Sequence, residues 1–279
     1  MRLSVIITTY NHPEWLEKVL WGFEAQTFRG FEVLVADDGS DDRTRDRLAQ
    51  VVPRLGYPVQ HVWHPKAGFR KCTILNAAIA RAAGDYCFFT DGDCIPRRDL
   101  LAVHAALAAP GRFLSGGYLK LPMPTSEAIT REDILAGRAT DYAWLRAHGM
   151  PRDRQSRRLA WGPLMARVLD GLTPTRASFN GHNASAWRAD LVRVNGFDER
   201  LEWGGLDREI GERLENAGIR GKQVRHRTIV VHLDHGRGYK RPEAMARNRA
   251  IRDEVAAGRL TRTAHGLDRH LAAPAGSGA

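Results

Sequence analysis

Two aspartates one residue apart, Asp91 and Asp93, have the type and spacing that most directly suggest chemistry in this chain. They follow the apolar run at 86–90, which predicts a buried strand, so both carboxylates stand where that strand ends. Ligands of open α/β sheets bind outside the carboxyl ends of the strands. Two carboxylates there, with Gly92 allowing a close backbone approach, suit a hard divalent cation shared with phosphate oxygens. The alternative is a simple turn, which Asp-Gly-Asp also favours.

The elements that must position these side chains alternate between strands and helices over the first 120 residues. Strands are predicted at 3–9, 31–36, 59–63, 86–90 and 113–119, and helices at 13–25, from 41 or 42 to about 52, at 71–83 and from 96 to about 108. This alternation predicts βαβ units and an α/β fold with a mostly parallel, Rossmann-like sheet flanked by helices. Polar residues at three strand ends, around Thr9, Asp37 and Asp91, should therefore meet in one crevice, which favours a nucleotide-type site.

The second half of the chain has a looser pattern. Prolines interrupt 121–178, which predicts short helices joined by mobile loops and, as one interpretation, a lid. Order returns with a helix starting near 190, a helix at 207–217 and a strand at 223–233, and the tail predicts a basic amphipathic helix with disorder from 273. We divide the chain into a nucleotide-binding half at 1–120, the insertion at 121–178, a second half of the same domain at 179–236, and the tail at 237–279.

The formal charge of +10 is concentrated at 131–158 and 237–269, but neither stretch resembles a nucleic-acid-binding module. We therefore interpret most of these charges as a solvated, mobile basic face and expect no nucleic acid as a partner, with weak peripheral contact with an anionic membrane as an alternative. No run of 18 apolar residues predicts a membrane span, and 1–7 reads as a first strand rather than a signal peptide. Three cysteines without metal-type spacing favour a reducing compartment, so the expected location is cytoplasmic, at the inner face of the membrane.

Several short motifs occur in a particular order. They are SVIITTYN from Ser4, VADDGSDD from Val35, GFRKCTILN from Gly68, TDGD from Thr90, NGFDE from Asn195 and WGGLDRE from Trp203. In this order and spacing the chain resembles the family 2 glycosyltransferases, which have the nucleotide-diphospho-sugar transferase (GT-A) fold. The last two motifs resemble the C-terminal module of galactosyl- and N-acetylgalactosaminyltransferases. The resemblance covers roughly 2–120 and 178–236.

The resemblance implies an inverting, metal-dependent transfer of a sugar from a UDP-sugar to an acceptor hydroxyl, in cell-surface polysaccharide or lipopolysaccharide synthesis. It makes Asp207 the catalytic base, although Asp is also a preferred helix N-cap. It makes Asp91 and Asp93 the metal motif, with Asp93 the more direct ligand, and His232 a further ligand with His235 as the second candidate. Two carboxylates and an imidazole suit Mn²⁺, with Mg²⁺ as the other option.

The same resemblance supplies binding residues for the donor and the acceptor. The expected nucleotide-sugar contacts are Thr9, Tyr10, Asp37 or Asp38, Arg70, Lys71, Asn76 and Asp91. The expected acceptor contacts are Trp203, Gly204, Gly205 and Glu209. Many relatives carry an acidic residue just before the base, where this chain has Leu206, and nearby Glu202 or Glu209 could compensate.

Three other functional classes are alternatives to transfer of a sugar. A nucleotidyltransferase of the same fold needs a glycine-rich, basic loop directly after the first strand, and the segment from Thr8 to Asn11 is not one. A non-catalytic protein that binds sugar nucleotides or glycans is disfavoured because the expected metal-site and catalytic residues are all present, namely Asp91, Asp93, Asp207 and His232. A dinucleotide-binding dehydrogenase is disfavoured because no G-x-G-x-x-G follows a strand.

Overall fold

A computed structural model of the chain describes residues 1–236 and 242–271. The strands of this part are β1 (Leu3–Thr9), β2 (Phe31–Asp37), β3 (Val59–Trp63), β4 (Tyr86–Asp91), β5 (Cys94–Pro96), β6 (Arg112–Ser115), β7 (Gly117–Lys120), β8 (Ala184–Trp187), β9 (Arg220–Gln223) and β10 (Ile229–His232). Its α-helices are α1 (Pro13–Glu24), α2 (Asp42–Val51), α3 (Lys71–Arg81), α4 (Leu100–Leu107), α5 (Met123–Ala128), α6 (Arg131–Leu135), α7 (Tyr142–Ala147), α8 (Pro163–Leu172), α9 (Arg188–Arg193), α10 (Leu206–Asn216), α11 (Pro242–Ala257) and α12 (Asp268–Leu271).

The main sheet has seven strands in the order β3-β2-β1-β4-β8-β6-β9. All neighbouring pairs are parallel except those that involve β8, which runs antiparallel to β4 and β6. Helices cover both faces, and the apolar side chains divide accordingly. Leu3 and Val5 belong to the core under one face, whereas Ile6 belongs to the core under the other. The predicted α/β fold with a mostly parallel sheet is confirmed.

A second, three-stranded sheet with the order β5-β10-β7 was not predicted. The sequence indicated one strand at 113–119, but the chain passes from one sheet to the other at Gly116 and Gly117. A Cβ on Gly116 would lie 2.2 Å from Cγ of Asn183, and one on Gly117 would lie 2.4 Å from the Arg225 carbonyl oxygen, so both positions require glycine. The predicted strand at 223–233 is confirmed only in part, because β10 occupies just 229–232 of it. A turn closed by the Thr228 amide on the Val224 carbonyl separates β9 from β10.

The helix predicted from residue 96 begins four residues later, at Leu100, because residues 94–96 first pair with β10. In the predicted insertion, α5 to α7 are short helices, as expected. Ile134, Leu145 and Met150 from this region are fully or almost fully buried in the first core, so 121–150 is part of the packed body. The lid predicted within 121–178 remains a prediction.

The described part of the tail contains α11 and α12, and α11 packs against α10. Residues 237–241 and the stretch from 272, where disorder was predicted from 273, lie outside the described residues. Among the described helices, none combines the length and the apolar character needed to cross a membrane.

Candidate active site

The crevice predicted at the carboxyl edge of the sheet is present. In the strand register Thr9 pairs with Asp37 and Thr8 with Asp91, so the ends of β2, β1 and β4 lie side by side. The Gly92 amide donates to the Thr8 carbonyl at 2.7 Å, which folds the segment after β4 back across β1. A Cβ on Gly92 would lie 3.0 Å from that carbonyl oxygen, so this close approach favours glycine. Residues far apart in sequence therefore share one edge.

Two aspartates at the end of β2 organise the outer part of this edge. Asp37 is 1% exposed and accepts hydrogen bonds from the Ser40 amide at 2.8 Å and from His61 at 2.9 Å. In this structure its carboxylate therefore stabilises the loop after β2. Asp38 contacts His64 Nε2 and Lys66 Nζ, both at 2.8 Å. Burial opposes its ionisation, but these hydrogen bonds and the Lys66 charge lower the pKa of Asp38.

An exposed ring lies beside Asp38. Tyr10 is 44% exposed, and Lys66 Nζ lies 3.7 Å from the centre of its ring, in a cation–π contact. The Arg70 amide donates to Asp38 at 3.2 Å, so the start of α3 is tied to the same pocket. An exposed aromatic face with adjacent cation and carboxylate can stack a base and hold polar groups of a nucleoside. Lys66 and His64 belong to this pocket, and sequence reasoning missed both of them.

Lys71 does not join the nucleoside pocket in this structure; it binds the end of β4. Its Nζ lies 2.7 Å from Oδ1 of Asp91, which also accepts from the Thr8 hydroxyl at 2.6 Å. Burial alone would lower the pKa of Lys71, but the carboxylates of Asp91 and Asp207 outweigh burial and raise it above its usual value. Lys71 is therefore a fixed positive charge that pairs with Asp91 and also acts electrostatically on Asp207.

Asp93 lies in a separate cluster, which we call the His–Asp cluster and define as Asp93, His232 and His235. Oδ2 of Asp93 is 3.0 Å from His235 Nε2 and 3.7 Å from His232 Nε2. Burial opposes ionisation here, but contact with His235 and the charge of His232 lower the pKa of Asp93 to about 2. The register of β5 and β10 pairs His232 with Cys94, so the second sheet brings the two halves of the chain together.

The donor atoms of the His–Asp cluster fit a divalent cation. One ligand atom each from Asp93, Cys94 and His232 lie within 4.8 Å of one another. Cys94 is not suited to bind as a thiolate, because burial and the charge of Asp93 raise its pKa well above the usual value. A carboxylate with imidazole nitrogens remains, which is a donor set for Mn²⁺. In this structure the Asp91 carboxylate is instead held by Lys71.

Asp207 lies in the first turn of α10, after a left-handed Gly205 at φ +88°. Its Oδ1 is buried and has no hydrogen-bond partner among the described residues. A Cβ on Gly181 would lie 2.7 Å from that atom, so the carboxylate is packed against the chain just before β8. Burial raises the pKa of Asp207 to about 6; Lys71 opposes the rise and Asp91 adds to it. A carboxylate with this pKa can accept a proton near neutral pH.

The loop before α10 is held by a residue that sequence reasoning missed. Asn248 on α11 is 1% exposed, and its Nδ2 donates to the carbonyls of Glu202, Trp203 and Gly204 at 2.9, 3.2 and 2.8 Å. Gly204 has a φ of +103°, a conformation that side chains rarely adopt. The expected acceptor residues Trp203, Gly204 and Gly205 therefore form one braced loop that leads to Asp207. No local pattern in the sequence identifies Asn248, because its partners lie more than 40 residues away.

Two predicted site residues are structural instead. Glu209 is fully buried, and both of its oxygens accept from Arg213, at 2.6 and 2.7 Å, so it is not available to an acceptor. Asn76 is also fully buried and exchanges hydrogen bonds with the backbone of Phe197, both at 2.8 Å. Arg213 in turn donates to the Gly196 carbonyl at 2.7 Å. In this structure both motif residues therefore support the loop around Gly196.

A cavity of about 560 Å³ lies elsewhere, lined by Trp21, Arg29, Arg54, Arg98 and Arg131 among others. None of the predicted site residues lines it. The crevice described above carries the perturbed carboxylates, and a perturbed carboxylate in a cleft is a stronger sign of an active site than volume alone.

The fold, the crevice and its carboxylates define the GT-A class of protein. Residues 4–123 match the family described as Glycosyl transferase family 2, and residues 174–236 match one described as the N-terminal domain of galactosyltransferase. Residues 4–123 therefore belong to the family 2 glycosyltransferases, as the motifs of this segment predicted.

Named relatives and solved structures agree with this assignment. Over 231 residues the chain is 32% identical to validoxylamine A glucosyltransferase of Streptomyces hygroscopicus subsp. jinggangensis, covering 78% of this chain and 52% of that protein. The chain thus spans about half the length of this relative. The mannosyltransferase PcManGT from Pyrobaculum calidifontis, solved with GDP-Man and Mn²⁺, has a TM-score of 0.55 at 22% identity, covering 100% of this chain and 76% of that one. TarS 1-349 from S. aureus, solved with UDP-GlcNAc, has a TM-score of 0.57 at 18% identity, covering 98% and 71%.

Proposed function

We propose that this chain transfers a sugar from a UDP-sugar to an acceptor hydroxyl with inversion at the anomeric carbon, and that Asp207 is the base. The observation that carries the proposal is the Asp207 carboxylate. It is buried, has a pKa raised to about 6, and lies within electrostatic reach of Lys71 and Asp91 on the donor side. A single base acting opposite a leaving diphosphate performs one displacement, which inverts the configuration.

The donor would bind along the carboxyl edge. The exposed Tyr10 ring stacks the uracil, while Asp38 with Lys66 and His64 accepts and donates hydrogen bonds at the nucleoside. Lys71 then stands near the diphosphate as a fixed cation that pairs with Asp91. The UDP-GlcNAc bound to a protein of this fold supports a uridine nucleotide. The second matching family and the glucosyltransferase relative support a hexose as the sugar.

The His–Asp cluster would hold the divalent cation, with Asp91 as an additional ligand. When bound, the cation supplies neutralising charge to the diphosphate as the glycosidic bond breaks. Mn²⁺ is proposed, with Mg²⁺ as the other candidate, because a carboxylate and imidazoles suit Mn²⁺ and the mannosyltransferase structure contains Mn²⁺. The protein itself keeps Asp93 ionised, because His232 and His235 lower the pKa of this carboxyl group.

The acceptor would approach over the loop braced by Asn248. The residues of this loop would contact the acceptor, and its hydroxyl would reach Oδ1 of Asp207, which lacks a hydrogen-bond partner in the described structure. Desolvation of this carboxylate makes it more basic than an exposed aspartate, so it takes the proton as the hydroxyl attacks. A growing cell-surface glycan, as in polysaccharide or lipopolysaccharide synthesis, is the acceptor that we propose.

The decisive test separates binding from transfer. Asp207→Asn should reduce kcat at least about 100-fold, the scale of lost general-base catalysis, while calorimetry with UDP and Mn²⁺ shows nearly unchanged binding. Asp190→Asn is the matched control, because burial also raises the pKa of Asp190, which lies on α9 outside the site. Equal loss of UDP binding and transfer would refute the base assignment, and full binding without transfer in the unchanged chain would favour a non-catalytic sugar-nucleotide protein.

A further inference from the structure

Helix α8 presents an apolar stripe to solvent. The exposed fractions of the four side chains that form it are 77% for Leu164, 53% for Met165, 46% for Val168 and 73% for Leu172. Positions 164, 168 and 172 are spaced four apart, so they lie on one side of the helix, with 165 beside them. Single exposed apolar residues are ordinary, but four on one helix face are a patch that calls for a partner.

The orientation of this stripe is fixed by contacts on the opposite side of α8. Ala166 and Asp170 are buried, and Asp170 accepts from the His226 amide at 2.9 Å and from Arg227 Nε at 2.7 Å. The Thr173 hydroxyl lies 2.9 Å from His226 Nε2. With about 100° between successive residues, the face that contains 166 and 170 is opposite the face that contains 164, 168 and 172. The apolar stripe therefore points away from the body of the protein.

The segments of chain before and after the stripe carry an excess of positive charge. Between 151 and 178 the chain has six arginines and two aspartates. One of these aspartates, Asp170, is already neutralised by Arg227. The arginines of this region that are exposed are Arg152, Arg154, Arg157, Arg167 and Arg176. An apolar helix face accompanied by arginines, here Arg167 on α8 and the others in the flanking segments, is typical of helices that lie in the plane of an anionic membrane surface.

We propose that α8 docks this protein on an anionic lipid bilayer, with the stripe at the boundary of headgroups and acyl chains and the arginines among the phosphates. A second copy of the chain fits this face less well. A ten-residue helix is about 15 Å long, so one face of it falls well short of the ~800 Å² per partner that stable interfaces bury. The excess of arginine also repels an identical surface, whereas it complements anionic headgroups. This inference does not depend on the proposed transfer reaction.

Flotation of the full chain with vesicles tests the docking. We expect binding to vesicles that contain phosphatidylglycerol, little binding to phosphatidylcholine alone, and release as salt is raised. Leu164→Ser should weaken partitioning about tenfold, because the apolar contact of one leucine is lost. Leu271→Ser, an exposed leucine outside α8, is the matched control and should have no effect. Arg154→Gln should weaken binding about fivefold, and only to the anionic vesicles.

Several results would overturn the proposal. They are equal binding to neutral and anionic vesicles, no change with Leu164→Ser, or the same loss with Leu271→Ser. Dimerisation that Leu164→Ser abolishes, without any vesicle binding, would assign the stripe to a second copy instead. Because Leu164 is largely exposed, we expect its substitution to leave the circular dichroism spectrum and Tm unchanged.

Discussion

Replacing Asp207 with asparagine should stabilise this protein while it removes the proposed base. The fold holds the carboxylate at a pKa of about 6, against an ordinary value of 3.8, because burial penalises its charged form. A proton is therefore held more tightly in the folded chain than in the unfolded one. Below pH 3.8 both states are protonated and there is no penalty. The penalty grows as the pH rises and is complete above the folded pKa of about 6.

The size of the effect follows from the difference between the two pKa values. A shift of about 2 pKa units corresponds to about 3 kcal/mol in the free energy of unfolding, at about 1.4 kcal/mol per unit. Asp207→Asn removes the charge and keeps the shape, so at pH 8 it should be more stable than the original chain by up to about 3 kcal/mol. At pH 4 the difference should fall below about 1 kcal/mol.

Urea unfolding at several pH values, with chelator present to remove metal ions, measures these differences. Asp93→Asn is the matched control, because the pKa of Asp93 is lowered to about 2 and its effect has the opposite sign. Its ionised form stabilises the fold above pH 3.8, and that stability is lost as the pH falls toward 2, so Asp93→Asn should destabilise at neutral pH. A pH-independent difference for Asp207→Asn, or a loss of stability at pH 8, would refute our account of a desolvated carboxylate.

Further predictions concern the surroundings of the base and the metal. Gly181→Ala should lower kcat about tenfold or more, because the new methyl group displaces Oδ1 of Asp207. Gly162→Ala is the control, because its methyl group meets no atom within 4 Å and should have no effect. Equal kcat values for the two variants would contradict the packing of Asp207 against Gly181. Lys71→Gln should move the acid limb of the kcat–pH profile above pH 6, since Lys71 lowers the pKa of Asp207, and Lys66→Gln should instead raise the KM for the donor. Chelation should abolish transfer and Mn²⁺ should restore it, and full activity in excess chelator would remove the metal role.

The sequence was most informative where structure is local. The bounds of β1 and β3 were predicted to the residue, and those of β2 and β4 within one. For β1, β2 and β4 the reason is that continuous apolar runs mark strands that are buried on both faces. Carboxylates that end such strands necessarily share one edge of a parallel sheet, so the crevice with Thr9, Asp37 and Asp91 followed from the order of elements. The same reasoning does not extend to short strands such as β5, whose three residues carry no periodicity.

The roles of individual motif residues depended on contacts between distant segments. Glu209 and Asn76 stand inside motifs but pair with Arg213 and with the Phe197 backbone, which only the folded core brings within reach. Asn248 lies in no motif, yet it braces the loop before the base.

The residue types, their order and the strand ends thus determined the fold, the family and the crevice. Tertiary structure decided which carboxylates are exposed to a ligand, which are neutralised, and how far burial raises the pKa of Asp207. The physical reason is that propensity and periodicity depend on neighbours along the chain. Desolvation and hydrogen-bond pairing depend on neighbours in space, and for Asp207 these are Lys71, Asp91 and Gly181, all of which precede it in the chain by more than 20 residues.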